Sequence, residues 1–275
     1  MDLNTITEVA RPKARAALPD WRAGDAWLAG GTWLYSEPQP RLSRLIDLAA
    51  LGWEPLRPSA DGLDIAATCT IAQLNSAALP VEWVAAPLID QCCRAFLASF
   101  KIWTMATVGG NLCMSLPAGP MIALTAALDG VCTVWKADGS ERKIRVVDFV
   151  EGPQRNALGA GDLLRRIELP ASALTRRTAF RQIALSKLGR SGALLIGTLD
   201  PGNGAFALTV TAATPRPIQF SFSQPPGADV LLARIDAELP LAAYYDDIHG
   251  KPAWRRRVTL HLAEEIRREL FRGRP

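Results

Sequence analysis

Two short segments of the sequence combine a glycine pair with small side chains that can form hydrogen bonds. The first is Leu28-Ala29-Gly30-Gly31-Thr32-Trp33-Leu34, and the second is Thr107-Val108-Gly109-Gly110-Asn111. Because glycine tolerates positive φ, such pairs can turn successive N–H groups toward one point. Concave sets of N–H donors bind anions, above all phosphate oxygens. Together the segments predict a pyrophosphate held from two sides, although either pair alone is typical of an ordinary turn.

The common nucleotide-binding motifs are missing from the sequence. It has no Walker A segment, and the closest approach to G-x-G-x-x-G is Gly159-Ala160-Gly161, where Leu164 occupies the place of the third glycine. A nucleotide would therefore be bound by a route other than a P-loop or a Rossmann turn.

Composition excludes several classes of protein. Of 275 residues, 49% are hydrophobic and 21% are charged, which is typical of a folded globular chain and not of a disordered one. The 31 Lys and Arg residues exceed the 27 Asp and Glu residues by too little to indicate nucleic-acid binding. Five cysteines, without a Cys-x-x-Cys pair, and two histidines predict reduced, mostly buried thiols and no metal site in this chain.

One segment is long and uncharged enough to suggest a membrane span. Ile102–Leu128 contains no charged residue, but a cluster of glycines and prolines near its middle would break a spanning helix. We interpret it as a loop followed by a buried helix over Met121–Leu128. The N-terminal residues lack the apolar stretch of a secretory signal, so the sequence predicts a cytoplasmic protein without membrane insertion.

The elements that must position the two glycine segments indicate an α+β fold. A capping box at Thr70 and Gln73 predicts a helix from about Ile71 to Leu79, and apolar spacing predicts another over Val84–Phe100. Asp138-Gly139 predicts a hairpin between Val131–Trp135 and Ile144–Val147. Beyond Pro170 come four strand-like runs and two helices: Thr178–Leu185, Ala193–Leu199, Ala205–Ala212, Pro217–Phe222, Ala228–Ala237 and Trp254–Phe271.

Beyond these local patterns, the sequence resembles a known family. LAGGTWL and TVGGNL are similar to the flavin-loop motifs AGGTDL and TIGGNL of the FAD-binding subunit of molybdenum hydroxylases, the medium chain of xanthine dehydrogenase and carbon monoxide dehydrogenase. Four further stretches resemble the family in the same order: Thr68–Leu74, Gly161–Pro170, Ala179–Ala184 and Asp247–Arg257.

The resemblance implies a fold and a domain organisation. Residues 1–172 would form a two-subdomain FAD-binding domain of the vanillyl-alcohol-oxidase (PCMH) type, with subdomains at about 1–50 and 51–172. Residues 173–275 would form a C-terminal domain with a small three-stranded antiparallel sheet and helices, like that of the carbon monoxide dehydrogenase flavoprotein.

The resemblance also implies a role in electron transfer within a cytoplasmic heterotrimer. A molybdopterin-binding large subunit would hydroxylate the substrate, and a small subunit with [2Fe–2S] clusters would relay electrons to FAD on this chain. The FAD would pass them to NAD, dioxygen or another acceptor. No residue of this chain would act on the organic substrate, and none would bind a metal.

Family positions suggest which residues contact FAD. Leu28 to Leu34 and Thr107 to Asn111 would cradle the pyrophosphate and ribityl, Leu164 would contact the ring, and Leu97 would lie near the adenine or flavin edge. Arg181 falls where relatives often have a lysine near the flavin.

The sequence also departs from the family at two positions. Pro120 replaces an aspartate of the family that hydrogen-bonds FAD, and Trp33 replaces an acidic residue. These departures leave a flavin-free structural subunit as an alternative. A free-standing flavin oxidase is another, although no substrate-side base is evident near the loops.

Overall fold

The computed structural model describes residues 3–272 and begins with a small parallel sheet. Its strands are β1 (Glu8–Ala10), β2 (Asp25–Leu28) and β3 (Arg44–Asp47), in the order β1-β3-β2. The central strand β3 is buried along Arg44, Leu45 and Ile46. Since β2 ends at Leu28, its carboxyl end leads directly into the first glycine segment.

A five-stranded antiparallel sheet follows. It contains β4 (Leu56–Ser59), β5 (Gly62–Ala66), β6 (Val131–Trp135), β7 (Glu141–Arg145) and, after a short hairpin, β10 (Leu163–Pro170), in the order β4-β5-β10-β6-β7. The hairpin between β7 and β10 consists of β8 (Val150–Gly152) and β9 (Arg155–Asn156). The hairpin predicted around Asp138-Gly139 is confirmed as β6 and β7. Its second strand, however, begins at Glu141 and ends at Arg145, so the predicted bounds Ile144–Val147 are wrong, because Val146 and Val147 begin a short helix.

Helices connect and cover these strands. They are α1 (Ile71–Asn75), α2 (Ala86–Ala95), α3 (Phe100–Trp103), α4 (Val108–Met114), α5 (Pro120–Ala127), α6 (Val146–Phe149) and α7 (Ala171–Leu174). The predicted capping box is present at α1, but this helix is shorter than expected. The second predicted helix ends at Ala95, since Leu97 adopts a left-handed conformation with φ of 49° that no helix accommodates.

The C-terminal part is a four-stranded antiparallel sheet covered by two helices. Its strands are β11 (Arg177–Ile183), β12 (Ala193–Leu199), β13 (Phe206–Thr211) and β14 (Ile218–Phe222), in chain order, and its helices are α8 (Ala228–Glu238) and α9 (Pro252–Phe271). The four strand-like runs are thus confirmed. The expectation of three strands is wrong because β14 pairs with β13 and buries Phe220 completely.

Helix α5 joins the two antiparallel sheets. All of its residues are buried, and Leu194, Ile196 and Ala212 of the C-terminal part belong to the same apolar core. The predicted domain boundary after residue 172 falls inside α7, and the division into domains stays a prediction. Among residues 3–272, no helix is long and apolar enough to cross a membrane, and Ile102–Leu128 contains the end of α3 and the short helices α4 and α5.

Candidate functional site

The first glycine segment is a tight turn at the end of β2. Gly31 has a φ of 69°, which glycine adopts without a steric penalty, and the N–H of Tyr35 donates to its carbonyl at 2.8 Å. In the described part of the chain, the N–H groups of Gly30 through Leu34 have no protein acceptor within hydrogen-bond distance. A consecutive series of N–H donors is therefore available to a ligand or to water.

The second glycine segment is the start of a helix and not a loop. Thr107 is the N-cap of α4, and its hydroxyl accepts a hydrogen bond from the Gly110 N–H at 3.0 Å. The N–H groups of Val108 and Gly109 donate to the carbonyls of Cys69 and Ala67 at 2.8 and 3.0 Å. The prediction that this segment offers backbone donors is therefore wrong, because the cap and the neighbouring chain already use them.

The second segment presents side chains instead of backbone donors. The Oδ1 of Asn111 accepts a hydrogen bond from the N–H of Met121 at 3.1 Å, so its amide NH2 is the group left to donate. Gly109 is required by close packing, because a Cβ there would lie 2.6 Å from backbone atoms of Ala67. A Cβ on Gly110 would meet only the Thr107 hydroxyl oxygen, at 2.9 Å.

The two segments meet in space. A Cβ on Gly30 would lie 1.7 Å from the carbonyl oxygen of Met105, so only glycine allows the first turn to touch the chain that enters α4. Both segments line one cavity of about 530 Å³, a volume in the usual range for small-molecule sites. The prediction that they face a common site agrees with this geometry.

Most of the predicted site residues line this cavity. They are Leu28, Ala29, Gly30, Gly31, Thr32, Trp33, Leu34, Leu97, Thr107, Gly110 and Asn111. Val108 and Gly109 are buried behind the cavity wall. Leu164 is also buried, on β10 opposite Val134, and does not line the cavity.

Arg181 lies outside the cavity. It is on β11, and its guanidinium donates to Glu265 at 2.8 Å and to Glu269 at 2.7 Å, both on α9. Strand register decides this outcome, because alternate residues of β11 face opposite sides of the sheet. The geometry does not support the prediction that placed Arg181 beside the flavin.

Sequence reasoning did not name several parts of the cavity wall, including the ends of α2 and α4. Trp27 lines it from β2, whereas Trp103, which also neighbours a glycine segment, does not. The turn before α5 adds Leu116, Ala118 and Gly119, next to Pro120, which the family resemblance had already singled out. The hairpin between β11 and β12 adds Leu188, Arg190 and Ser191. No local signal in the sequence indicates that this hairpin reaches the glycine segments.

The cavity has little titratable character. Arg190 is the charged side chain among its described lining residues, and no carboxylate lines it. Burial raises the pKa of the Cys113 thiol to about 12, so this sulfur stays protonated at neutral pH. The wall thus consists of N–H donors, neutral polar groups and apolar surface, with one cation, a set suited to an anionic ligand with aromatic parts.

Residues 7–172 match the family model described as FAD binding domain in molybdopterin dehydrogenase. The chain belongs to this family. As a member of the molybdopterin dehydrogenase FAD-binding family it is an oxidoreductase flavoprotein of the medium-subunit type, as the sequence resemblance predicted.

Two curated relatives cover most of the chain. It is 28% identical over 225 residues, 78% of this chain and 74% of the relative, to caffeine dehydrogenase subunit beta of Pseudomonas sp. strain CBB1. It is 25% identical over 252 residues, 83% of this chain and 81% of the relative, to the nicotinate dehydrogenase FAD-subunit of Eubacterium barkeri.

A solved structure has the same fold. The crystal structure of quinoline 2-oxidoreductase from Pseudomonas putida 86 superposes with a TM-score of 0.79, at 21% identity, over 99% of both chains. The predicted α+β fold, with a FAD-binding part followed by an antiparallel sheet and helices, is thereby confirmed.

Proposed function

We propose that this chain binds FAD in the cavity between the two glycine segments and transfers electrons within a molybdenum-dependent hydroxylase or dehydrogenase. The observation that carries the proposal is the series of N–H groups from Gly30 to Leu34. Within residues 3–272 they have no protein acceptor, and their residues line a cavity that Thr107, Gly110 and Asn111 also line. Unpaired N–H donors converging on a concave surface suit a diphosphate.

The residues of the cavity have separate roles in this proposal. The Gly30 to Leu34 amides hold the diphosphate, and the Asn111 amide adds a donor from the opposite side. Trp27, Trp33 and Leu97 supply apolar surface that orients aromatic rings and excludes water from them. When bound, FAD supplies one- and two-electron transfer, while the protein provides position and electrostatics.

Partner subunits complete the proposed complex. A small subunit with [2Fe–2S] clusters delivers electrons that a molybdopterin-binding subunit takes from the substrate, and NAD, dioxygen or another acceptor removes them from FAD. Relatives named as subunits of caffeine and nicotinate dehydrogenases support this assembly.

A flavin-free structural subunit is the second candidate, because Pro120 offers neither a side-chain acceptor nor an N–H to a cofactor. In such a subunit, side chains would be expected to fill the cleft. The cavity of about 530 Å³ instead favours a ligand, and Trp33 lines it without closing it. A free-standing oxidase is less well supported, because the described wall offers no carboxylate or imidazole as a general base.

Titration of the purified full-length chain with FAD tests the proposal. We expect saturable quenching of flavin fluorescence with one FAD per chain, and competition by ADP, since the amide series recognises the diphosphate. Riboflavin, which lacks phosphate, should bind far more weakly. A chain that stays colourless and shows no saturable quenching would contradict FAD binding. Mixing the chemically reduced holoprotein with NAD or dioxygen then identifies the acceptor from the rate of flavin reoxidation.

A further inference from the structure

Arg190 differs from the other described residues that line the cavity because its side chain carries a formal charge. It is exposed, on the hairpin between β11 and β12. Within residues 3–272 its guanidinium has neither an ion-pair partner nor a hydrogen-bond acceptor. Most other described arginines form ion pairs; Arg181, for example, pairs with two glutamates of α9. Arg190 therefore places a cation at the cavity for which the described residues provide no counterion.

The chain immediately after Arg190 is firmly anchored. The N–H of Gly192 donates to the carbonyl of Ile183 at 2.8 Å, and the side chain of Gln182 donates to the Ser191 hydroxyl at 2.8 Å. The carbonyl of Gly192 also accepts a hydrogen bond from the buried Arg255 of α9 at 2.5 Å. These bonds fix the base of the hairpin, so the position of Arg190 follows from the packing of the C-terminal sheet.

We infer that Arg190 supplies the countercharge for an anionic group of bound FAD, an inference that rests on the proposed function. The amides of Gly30 to Leu34 orient a diphosphate but carry no net charge, and the diphosphate brings two negative charges into a wall without another cation. The isoalloxazine ring is a second source of anionic oxygen and nitrogen once it is reduced. Either partner would pair with a guanidinium, which is charged at every pH of interest.

The test compares two variants of the full-length chain that lose the same charge from the same hairpin. Arg190→Gln removes the cavity cation, whereas Lys187→Gln removes an exposed charge outside the cavity wall. FAD and ADP affinities are measured by fluorescence titration at low and high salt, and the flavin midpoint potential by spectroelectrochemistry. Arg190→Lys keeps the positive charge without the guanidinium, and so tests whether the charge alone accounts for the effect on FAD.

If the diphosphate is the partner, Arg190→Gln weakens FAD and ADP binding by roughly tenfold at low salt, as expected for a lost charge-assisted hydrogen bond. The difference from the wild type then shrinks in high salt, because ions screen an exposed pair. If the reduced ring is the partner, oxidised FAD binds with unchanged affinity, ADP is unaffected and the midpoint potential falls. Either result supports the inference, and Arg190→Lys should recover part of the effect.

The inference would be overturned if Arg190→Gln and Lys187→Gln had the same FAD affinity, salt dependence and flavin midpoint potential. The proposal that the chain binds FAD would not be affected by that result. Absence of FAD binding by the wild-type chain would overturn the proposed function together with this inference. The two failures are therefore distinguished by the wild-type titration alone.

Discussion

At the scale of single residues, the two glycine pairs serve different purposes. Gly31 takes a left-handed conformation, whereas Gly30 and Gly109 are needed where two chain segments touch. At Gly110, the second glycine of its pair, an added Cβ would contact only one atom, the hydroxyl oxygen of Thr107. A side chain at Gly110 would therefore occupy cavity space without displacing neighbouring backbone.

Gly110→Val should lower FAD affinity by at least about tenfold, the equivalent of losing one charge-assisted contact, while the chain stays folded. The branched side chain would fill space between the two glycine segments and would push the Thr107 hydroxyl from its cap position. Fluorescence titration measures the affinity, and circular dichroism reports the fold.

Two further variants separate the reasons for this effect. Gly227→Val adds the same side chain at an exposed helix cap where a Cβ meets nothing within 4 Å, and should leave FAD affinity unchanged. Thr107→Val removes the cap without filling the cavity, and should cost about 1 kcal/mol of stability. If Thr107→Val weakens FAD as much as Gly110→Val does, cap loss and not steric blocking explains the result.

At the scale of elements, a buried ion pair ties β2 to β3. Arg44 donates to both carboxylate oxygens of Asp25, at 2.8 and 2.5 Å, and the Asp25 side chain is fully buried. The hydrogen bond from Arg44 lowers the pKa of Asp25 although burial opposes this shift. Because β2 leads into the first turn, the pair also holds Gly30 to Leu34 in place.

Arg44→Met should destabilise the protein by about 3 kcal/mol, since the buried Asp25 carboxylate would keep only the N–H of Arg22 at 2.9 Å and the guanidinium of the exposed Arg22 at 3.6 Å. A carboxyl with a lowered pKa stabilises the folded state above its unfolded pKa, and this contribution disappears as pH falls through the folded value. The difference in free energy of unfolding between wild type and variant should therefore be largest at neutral pH. It should become smaller as pH falls below the ordinary aspartate pKa of 3.8. Urea unfolding at several pH values measures it.

The control for this variant is Arg41→Met, which removes an exposed arginine near the start of the same strand. It should change the free energy of unfolding by less than about 0.5 kcal/mol, as is usual for surface substitutions. A pH-independent difference for Arg44→Met would contradict the assignment of the effect to Asp25.

At the scale of the whole molecule, Arg255 links α9, the C-terminal sheet and the cavity hairpin. Its sequence context, Arg255 to Arg257, indicates a solvated helix start or a docking contact, yet its side chain is only 1% exposed. The guanidinium donates to the carbonyls of Gly250, Gly192 and Ala212 and to the carboxylate of Asp247. The interpretation as a solvated residue is therefore wrong for Arg255.

Arg255→Met should destabilise the chain by about 3 kcal/mol, because it removes a donor from three backbone carbonyls and leaves the Asp247 carboxylate with only the N–H of His249. It should also weaken FAD binding, since the hairpin that carries Arg190 loses one of the three hydrogen bonds at its base. Thermal unfolding and FAD titration measure the two effects. Arg257→Met, an exposed arginine on the same helix, serves as the control and should change neither. Unchanged FAD affinity in a destabilised Arg255→Met would show that the hairpin is held by other contacts.

The sequence by itself determined most local elements and the family. Capping at Thr70 and the Asp138-Gly139 turn are signalled within a few residues, because hydrogen bonds between near neighbours form them. The four C-terminal strands are signalled by short apolar runs bounded by turn residues. The two glycine motifs pointed to the family and named the two segments that meet at the cavity.

Only the tertiary structure decided how the second motif is used and which arginine reaches the cavity. The N–H groups of Val108 and Gly109 are paired with carbonyls of the segment 67–69, which no local pattern reveals. Arg181 and Arg190 are both basic residues near the same hairpin, and strand register turns one toward α9 while the hairpin carries the other to the cavity. Such outcomes depend on contacts between residues far apart in the chain, and these form only when the sheets and helices pack together.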